Sequence, residues 1–277
     1  MRRVEITYER SPLAILGAGR LGSAIAWRWQ AVEDQKPDLW SRRFEGVDPV
    51  EIHGWFFPAG ERPYTVASIA EVTSASTLVA AIPSSALAEL AARYPEIGGF
   101  AGTLLVTGTD CLWEAAQQLT PAALVVRVVP SLLSAPRSLP SLVLDHGLPQ
   151  ARWEPTRAIL AKLGPIHYVD DEQAFESLMY LTSPFPVVLR SALADAVAST
   201  LTQTGVAPKW QPLAERLLWE ALSAMSAAQP RPESIEAAVA TPGGVTAAGL
   251  EDVPAISRAL QDLWQLLIRT SARTRDR

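Results

Sequence analysis

A glycine turn near the amino terminus constrains this chain more than any other feature. Leu16-Gly17-Ala18-Gly19-Arg20-Leu21-Gly22 closes the apolar run Leu13-Ala14-Ile15-Leu16 and opens a helical pattern over Leu21–Gln30. In that spacing the first glycine permits a tight turn and the second lets a ligand approach the backbone. The third lets the helix close on the strand. The string alone is weak and would serve any strand–turn–helix joint. Here the strand before it and the helix after it supply the context that gives it meaning. The helix amino terminus adds amide donors and partial positive charge, which suit a diphosphate. The pattern therefore predicts a dinucleotide-binding βαβ unit, with Gly17, Gly19, Arg20, Leu21 and Gly22 at the diphosphate.

Beyond this turn the chain keeps the same rhythm. Leu39–Trp40, Thr77–Ile82, Thr103–Thr107 and Ala123–Val129 are short runs, apolar on both faces and partly β-branched, as buried parallel strands should be. Ser85–Tyr94 and Cys111–Leu119 carry helical spacing between them. Ser141–Asp145 and Ile166–Val169 read as later strands around a helix at Trp153–Leu163. Alternation of this kind builds a doubly wound α/β sheet with right-handed crossovers. Near Asp170-Asp171-Glu172 the strand signal stops. Ala/Leu-rich helices take over at roughly 171–204, 209–228, 232–240 and 246–272. Pro184 and Pro186 should kink or divide the first of these. Gly205 and Pro208 should end it, and Pro254 suits the first turn of the last helix. The expected fold is α/β: a Rossmann-type sheet domain over 1–169, followed by an all-helical dimerisation and substrate domain over 170–277.

Composition removes several function classes. Apolar residues make up 48% of the 277 and charged residues 19%, which is globular. A net charge of −5 offers no broad basic surface for nucleic acid. Cys111 has no partner for an internal disulfide, and neither it nor His53, His146 and His167 falls at metal-ligand spacing, so no metal site is expected. The Met1–Thr7 stretch has charges but no apolar core, and no run approaches membrane-spanning length. A cytoplasmic protein is the expectation. The tryptophans, Trp27, Trp29, Trp113 and Trp264 among them, fall on helical patterns and are expected to pack in cores or interfaces.

The choice of dinucleotide turns on the end of the second strand. About 20 residues beyond the glycines, an acidic group would bind the ribose hydroxyls of NAD, whereas arginine accommodates the 2′-phosphate of NADP. The chain reads Asp38-Leu39-Trp40-Ser41-Arg42-Arg43, with Asp38 at or before the strand start. Ser41, Arg42 and Arg43 follow it. A hydroxyl with guanidinium groups is good chemistry for a phosphate dianion, and NADP(H) is favoured over NAD(H). A solvated basic loop is the plainer alternative. Ala81, Ile82 and Pro83 leave the Thr77–Ile82 strand, and Thr107 and Gly108 leave the next. Such turns border the open crevice in sheets of this kind.

A second glycine turn, Thr241-Pro242-Gly243-Gly244-Val245-Thr246, lies just before a late helix. Pro-Gly-Gly by itself can be only a turn. With a helix at once after it, its amides and the Thr246 hydroxyl make a small carboxylate receptor.

At this point the chain resembles the pyrroline-5-carboxylate reductases, as a divergent member. Thr241–Thr246 is similar to that family's Ser-Pro-Gly-Gly-x-Thr signature. Arg127-Val128-Val129-Pro130-Ser131 resembles its Arg-x-Met-Pro-Asn segment, and Leu181-Thr182-Ser183-Pro184-Phe185-Pro186 stands where it has Leu-Ser-Gly-Ser-Gly-Pro. The final helix, Ile268-Arg269-Thr270 to Arg275, is also similar. The departures are Ser131 for asparagine, Ser183-Pro184-Phe185 for Gly-Ser-Gly, and no lysine before Pro83. The resemblance implies hydride transfer from NADPH to the C=N bond of a small cyclic imine carboxylate, first of all 1-pyrroline-5-carboxylate, giving proline. It further implies a homodimer or larger homo-oligomer. Gly243, Gly244, Val245 and Thr246 would hold the carboxylate, and Thr246 would also serve the ring nitrogen or its water. Ser183 would border the ring, or else act only as a helix-breaking cap.

Three other readings stay open. A paralogous reductase would act on a different cyclic imine, and a decayed pocket would leave an NADP-binding sensor or scaffold. A β-hydroxyacid or ketopantoate-type dehydrogenase would share the architecture but would resemble its relatives in using a lysine from the helix after the sheet. The chain has only Lys36, Lys162 and Lys209, and residues 171–204 contain none. That argues against it.

Overall fold

The computed structural model describes residues 11–42, 63–107, 113–132, 137–182, 184–228 and 245–275. It divides into two compact units, one of Met1–Ser183 with Ser271–Arg277 and one of Pro184–Thr270.

The first unit is built on an eight-stranded sheet: β1 (Leu13–Leu16), β2 (Asp38–Trp40), β3 (Thr65–Val66), β4 (Thr77–Ala80), β5 (Thr103–Val106), β6 (Leu124–Pro130), β7 (Ser141–Leu144) and β8 (Ile166–Val169). The strand order is β3-β2-β1-β4-β5-β6-β7-β8. Pairing is parallel except between β6 and β7. Alternate residues feed two cores, as the two-residue period of a strand requires. Leu13, Ile15, Val79, Leu105 and Val126 face α1 (Arg20–Glu33) and α6 (Gln150–Leu163), packing on Ile25, Trp29, Ile159 and Leu160. Ala14, Leu16, Leu78, Leu104 and Val125 face the other way. There they meet α2 (Ile69–Val72), α3 (Ser84–Arg93), α4 (Pro95–Gly98) and α5 (Trp113–Leu119) through Val72, Leu87, Ile97 and Ala116. Helices on both faces explain why these strands read as continuous apolar runs.

Three elements were not anticipated: β3, α2 and the four-residue α4, which Pro95 opens directly after α3. β3 is a two-residue edge strand, too short to show a period. α2 is one turn long, closed by a capping box in which Ser68 Oγ accepts from the Glu71 amide while Glu71 Oε2 accepts from the Ser68 amide.

The boundary falls one helix later than the change of texture at residue 170. Helix α7 (Glu172–Thr182) belongs to the sheet unit, where it buries Phe175, Met179 and Tyr180. It is clamped by Arg127 of β6, which is 2% exposed. Arg127 donates to Glu172 at 2.9 Å and Glu176 at 2.6 Å and lies over the Phe175 ring. A buried guanidinium needs such partners, since leaving it alone in an apolar interior costs several kcal/mol.

The second unit is helical: α8 (Pro184–Gln203), α9 (Gln211–Ala228), α10 (Val245–Glu251) and α11 (Val253–Arg275). The expected 171–204 helix is thus divided between α7 and α8, just before Pro184. Gly205, with φ of +72°, closes α8, and Pro254 lies in the first turn of α11. The expected helix at 232–240 lies outside the described residues. Within the unit Phe185 packs on Trp264 at 5.7 Å, and Arg190 lies over Trp219. No residue of α8 is buried. Among the described residues no helix is long and apolar enough to cross a membrane.

Candidate functional site

The sheet has its topological switch between β1 and β4, because β1 is followed by a strand on one side and β4 builds the other. A parallel sheet opens a crevice at such a point, at the carboxyl ends of the two strands. In this unit a cavity of about 220 Å³ lies there. It is lined by Gly17, Ala18 and Gly19 after β1, by Trp40 at the end of β2 with Ser41 and Arg42 following it, by Ala81, Ile82 and Pro83 after β4, and by Ala86, Glu89 and Leu90 of α3.

The three glycines of the turn answer to three different demands. Gly17 has φ of +107°, and its amide donates to the Trp40 carbonyl at 2.8 Å. A Cβ on Gly17 would lie 2.6 Å from the Ala81 carbonyl oxygen. Gly22 is buried in α1, where a Cβ would run into the Gly17 carbonyl oxygen. Both are therefore fixed by the protein's own packing. Gly19 is different. Its φ of −73° suits any residue, and an added Cβ would meet nothing within 4 Å. Neither backbone strain nor packing requires glycine at this position. It keeps the amino terminus of α1 open on the cavity side, which is what close approach of a diphosphate needs. The donor set fits a dinucleotide.

The other expected crevice residues take distinct places. Arg20 starts α1 on its exposed side, and Leu21 packs partly against the core, so neither lines the cavity. Ser41 is buried at the end of β2 while Arg42 is exposed. Trp40 makes an edge-to-face contact with Tyr94, which fixes the cavity wall beside them. Thr107 is buried, and its hydroxyl donates to the Ala80 carbonyl at 2.8 Å, joining the ends of β4 and β5 under the crevice. Ser131, at the end of β6, donates its hydroxyl to the Thr182 carbonyl and so holds the last turn of α7.

Arg43, Gly108, Ser183, Gly243 and Gly244 lie outside the described residues. Val245 begins α10, and Thr246 follows it in the first turn, exposed. Among the described residues there is no His/Cys/Asp/Glu cluster able to hold a metal ion.

Solved structures resemble this chain over nearly its whole length. The pyrroline carboxylate reductase of Plasmodium falciparum, solved with NADP bound, matches with a TM-score of 0.71 at 13% identity, covering 94% of this chain and 96% of its own. The pyrroline-5-carboxylate reductase of Coxiella burnetii matches at 0.71 and 14%, covering 97% and 98%. This chain has the pyrroline-5-carboxylate reductase fold. A reductive aminase of Aspergillus terreus, solved with NADPH and ethyl-5-oxohexanoate, is more distant in shape, at a TM-score of 0.54 and 18% identity over 96% and 93% of the two chains. No protein-family model matches the sequence, and no curated protein does.

On this reductase fold the cavity wall contributed by α3, Ala86, Glu89 and Leu90, escaped sequence reasoning, and Glu89 is its charged member. Glu89 stands 47 positions after Arg42 and forms a two-oxygen ion pair with it, at 3.0 and 2.9 Å. No local spacing rule joins a residue after a strand to one in the middle of a later helix. Only the sheet topology brings them together.

Proposed function

We propose that this chain is an NADPH-dependent reductase that delivers hydride to the C=N bond of a small cyclic imine carboxylate, 1-pyrroline-5-carboxylate being the first candidate. The single observation that carries the coenzyme half is Gly19, a glycine that the protein's own geometry does not need, at the mouth of a crevice on the switch point. The substrate half is supported by the Thr241–Thr246 motif and by a fold shared with pyrroline-5-carboxylate reductases along both units.

When bound, the dihydronicotinamide supplies the hydride. The chain's own residues supply position and charge. Gly17, Gly19 and the first turn of α1 hold the diphosphate, and Ser41, Arg42 and Arg43 receive the 2′-phosphate. Ala81, Ile82, Pro83, Thr107 and Gly108 wall the crevice. The Gly243 and Gly244 amides with Thr246 hold the carboxylate, and Thr246 hydrogen-bonds the ring nitrogen or its water. The imine can enter already protonated, as the iminium that accepts hydride, so no His/Asp acid–base pair is required, and positioning does most of the work. Ser183 borders the ring.

The protein works as a homodimer through its helical unit. Leu217 and Ile256 are 57% and 56% exposed, and Val187, Leu213 and Leu266 are exposed as well. So many exposed large apolar side chains support this reading, because such patches are commonly covered by a partner. A second copy would need to cover roughly 1,200 Å² or more for a stable pair.

The decisive assay follows NADPH absorbance with pyrroline-5-carboxylate, with a six-membered imine carboxylate, and with an imine lacking the carboxylate. Oxidation with the first supports the proposal. Oxidation only with another imine favours a paralogous reductase, a reading that the Ser183-Pro184-Phe185 departure motivates. Tight NADPH binding with no turnover on any imine would leave a sensor or scaffold.

A further inference from the structure

We propose that Glu89 sets the coenzyme selectivity of the crevice by competing with a ribose 2′-phosphate for Arg42. The inference rests on the coenzyme reading above and deepens it.

Arg42 Nη1 donates to both carboxylate oxygens of Glu89, at 3.0 and 2.9 Å. The two side chains are 61% and 57% exposed, so solvent and salt screen the pair and the fold gains little from it. Its importance lies in where it stands. Both residues line the cavity, together with Trp40, Ser41 and Ala86. Arg42 is where the turn after β2 offers a guanidinium to a phosphate dianion. In the structure that guanidinium is already engaged by a carboxylate. A 2′-phosphate must displace Glu89 or accept a like charge beside it, and either route weakens its binding. A coenzyme ending in ribose hydroxyls suffers no such repulsion, because a carboxylate accepts hydrogen bonds from hydroxyls. Glu89 thus narrows the preference for NADPH over NADH that Arg42 creates.

The test is calorimetric binding to the full-length protein, with 2′,5′-ADP and 5′-AMP as probes and NADPH and NADH alongside. Glu89→Gln keeps the shape and removes the charge. It is expected to tighten 2′,5′-ADP by about fivefold at low salt, the scale of an exposed ion pair, while 5′-AMP changes by less than about twofold or weakens. High salt should shrink the difference. Arg42→Gln should weaken 2′,5′-ADP and abolish most of the gain from Glu89→Gln in the double variant. If Glu89→Gln leaves 2′,5′-ADP unchanged or weakens it, Glu89 does not compete and the inference is overturned, while the coenzyme reading stands on the wild-type affinity. If the wild type binds neither 2′,5′-ADP nor NADPH, the coenzyme reading falls and this inference falls with it.

Discussion

The sheet unit and the helical unit solve the problem of burying apolar surface in opposite ways. In the first, strands β1, β4, β5 and β7 are buried along their whole length, and each covering helix brings its own apolar stripe. In the second, α8 runs for 20 residues without burying one, and Leu217, Ile256 and Leu266 stand in water. The apolar residues of α8 are at most half-buried, which leaves room for a partner to cover them. The contrast separates two kinds of information in one sequence. The sheet unit specifies a core that a single chain completes. The helical unit specifies faces that, on our reading, a second copy completes.

The largest expected effect strikes the self-sufficient unit. Gly22→Ala drives a Cβ into the Gly17 carbonyl, and because neither is a flexible side-chain end, α1 must withdraw from β1. We expect a loss of about 3 kcal/mol or more from the urea unfolding of the sheet unit. An unchanged midpoint would mean that the helix and strand are not packed as described. Next comes the opposite unit. Leu217→Glu alters a side chain that is already exposed, so the unfolding midpoint of the sheet unit should stay put. Self-association measured by sedimentation should weaken by about a hundredfold. If Leu217→Glu instead leaves self-association unchanged, or lowers the unfolding midpoint of the sheet unit, the contrast between the units is lost.

A finer test returns to the glycine turn. Gly19→Ala meets no protein atom, so stability should move by less than about 0.5 kcal/mol, while NADPH affinity should fall by about tenfold. Gly22→Ala and Gly19→Ala, three residues apart, therefore distinguish a glycine kept for packing from one kept for a ligand. The smallest effect concerns Glu154, whose carboxyl is held below its ordinary value chiefly by hydrogen bonds from Arg157, opposed by slight desolvation. A folded-state value below the unfolded one contributes stability above the ordinary carboxylate range and loses it as pH falls through the lowered value. Both side chains are about half exposed on the surface, where solvent screens the pair, so Arg157→Ala should return the Glu154 titration seen by NMR to the ordinary range without moving the unfolding midpoint at neutral pH.

Much of the sheet unit was legible in the sequence because its signals are local. Leu13–Leu16 and Thr103–Val106 are apolar on both faces, and the glycine spacing marks the turn that feeds α1. What escaped is tertiary. α7 has the Ala/Leu texture of the helices after it, and nothing in its periodicity says that Phe175 and Met179 pack on the sheet. Arg127 was visible as part of a motif, but its clamp on Glu172 and Glu176 spans 45 and 49 positions. Glu89 lacked any local signal for the same reason. α2 is the exception: Ser68-Ile69-Ala70-Glu71 is a legible capping box that went unread. At the candidate site, Gly17, Gly19, Ser41, Arg42, Ala81, Ile82 and Pro83 line one cavity. Gly243 and Gly244 lie outside the described residues, so the substrate half still rests on the motif and the shared fold.

On the proposed function, two glycine turns more than 200 positions apart serve one reaction. A crystal structure of the protein with NADPH and a proline analogue tests it most directly. Our account expects the diphosphate against Gly17, Gly19 and the start of α1, with the analogue's carboxylate on the Gly243 and Gly244 amides and Thr246, its ring facing the nicotinamide. An analogue bound elsewhere, or a Thr241–Thr246 turn far from the nicotinamide in every copy of the assembly, would contradict it.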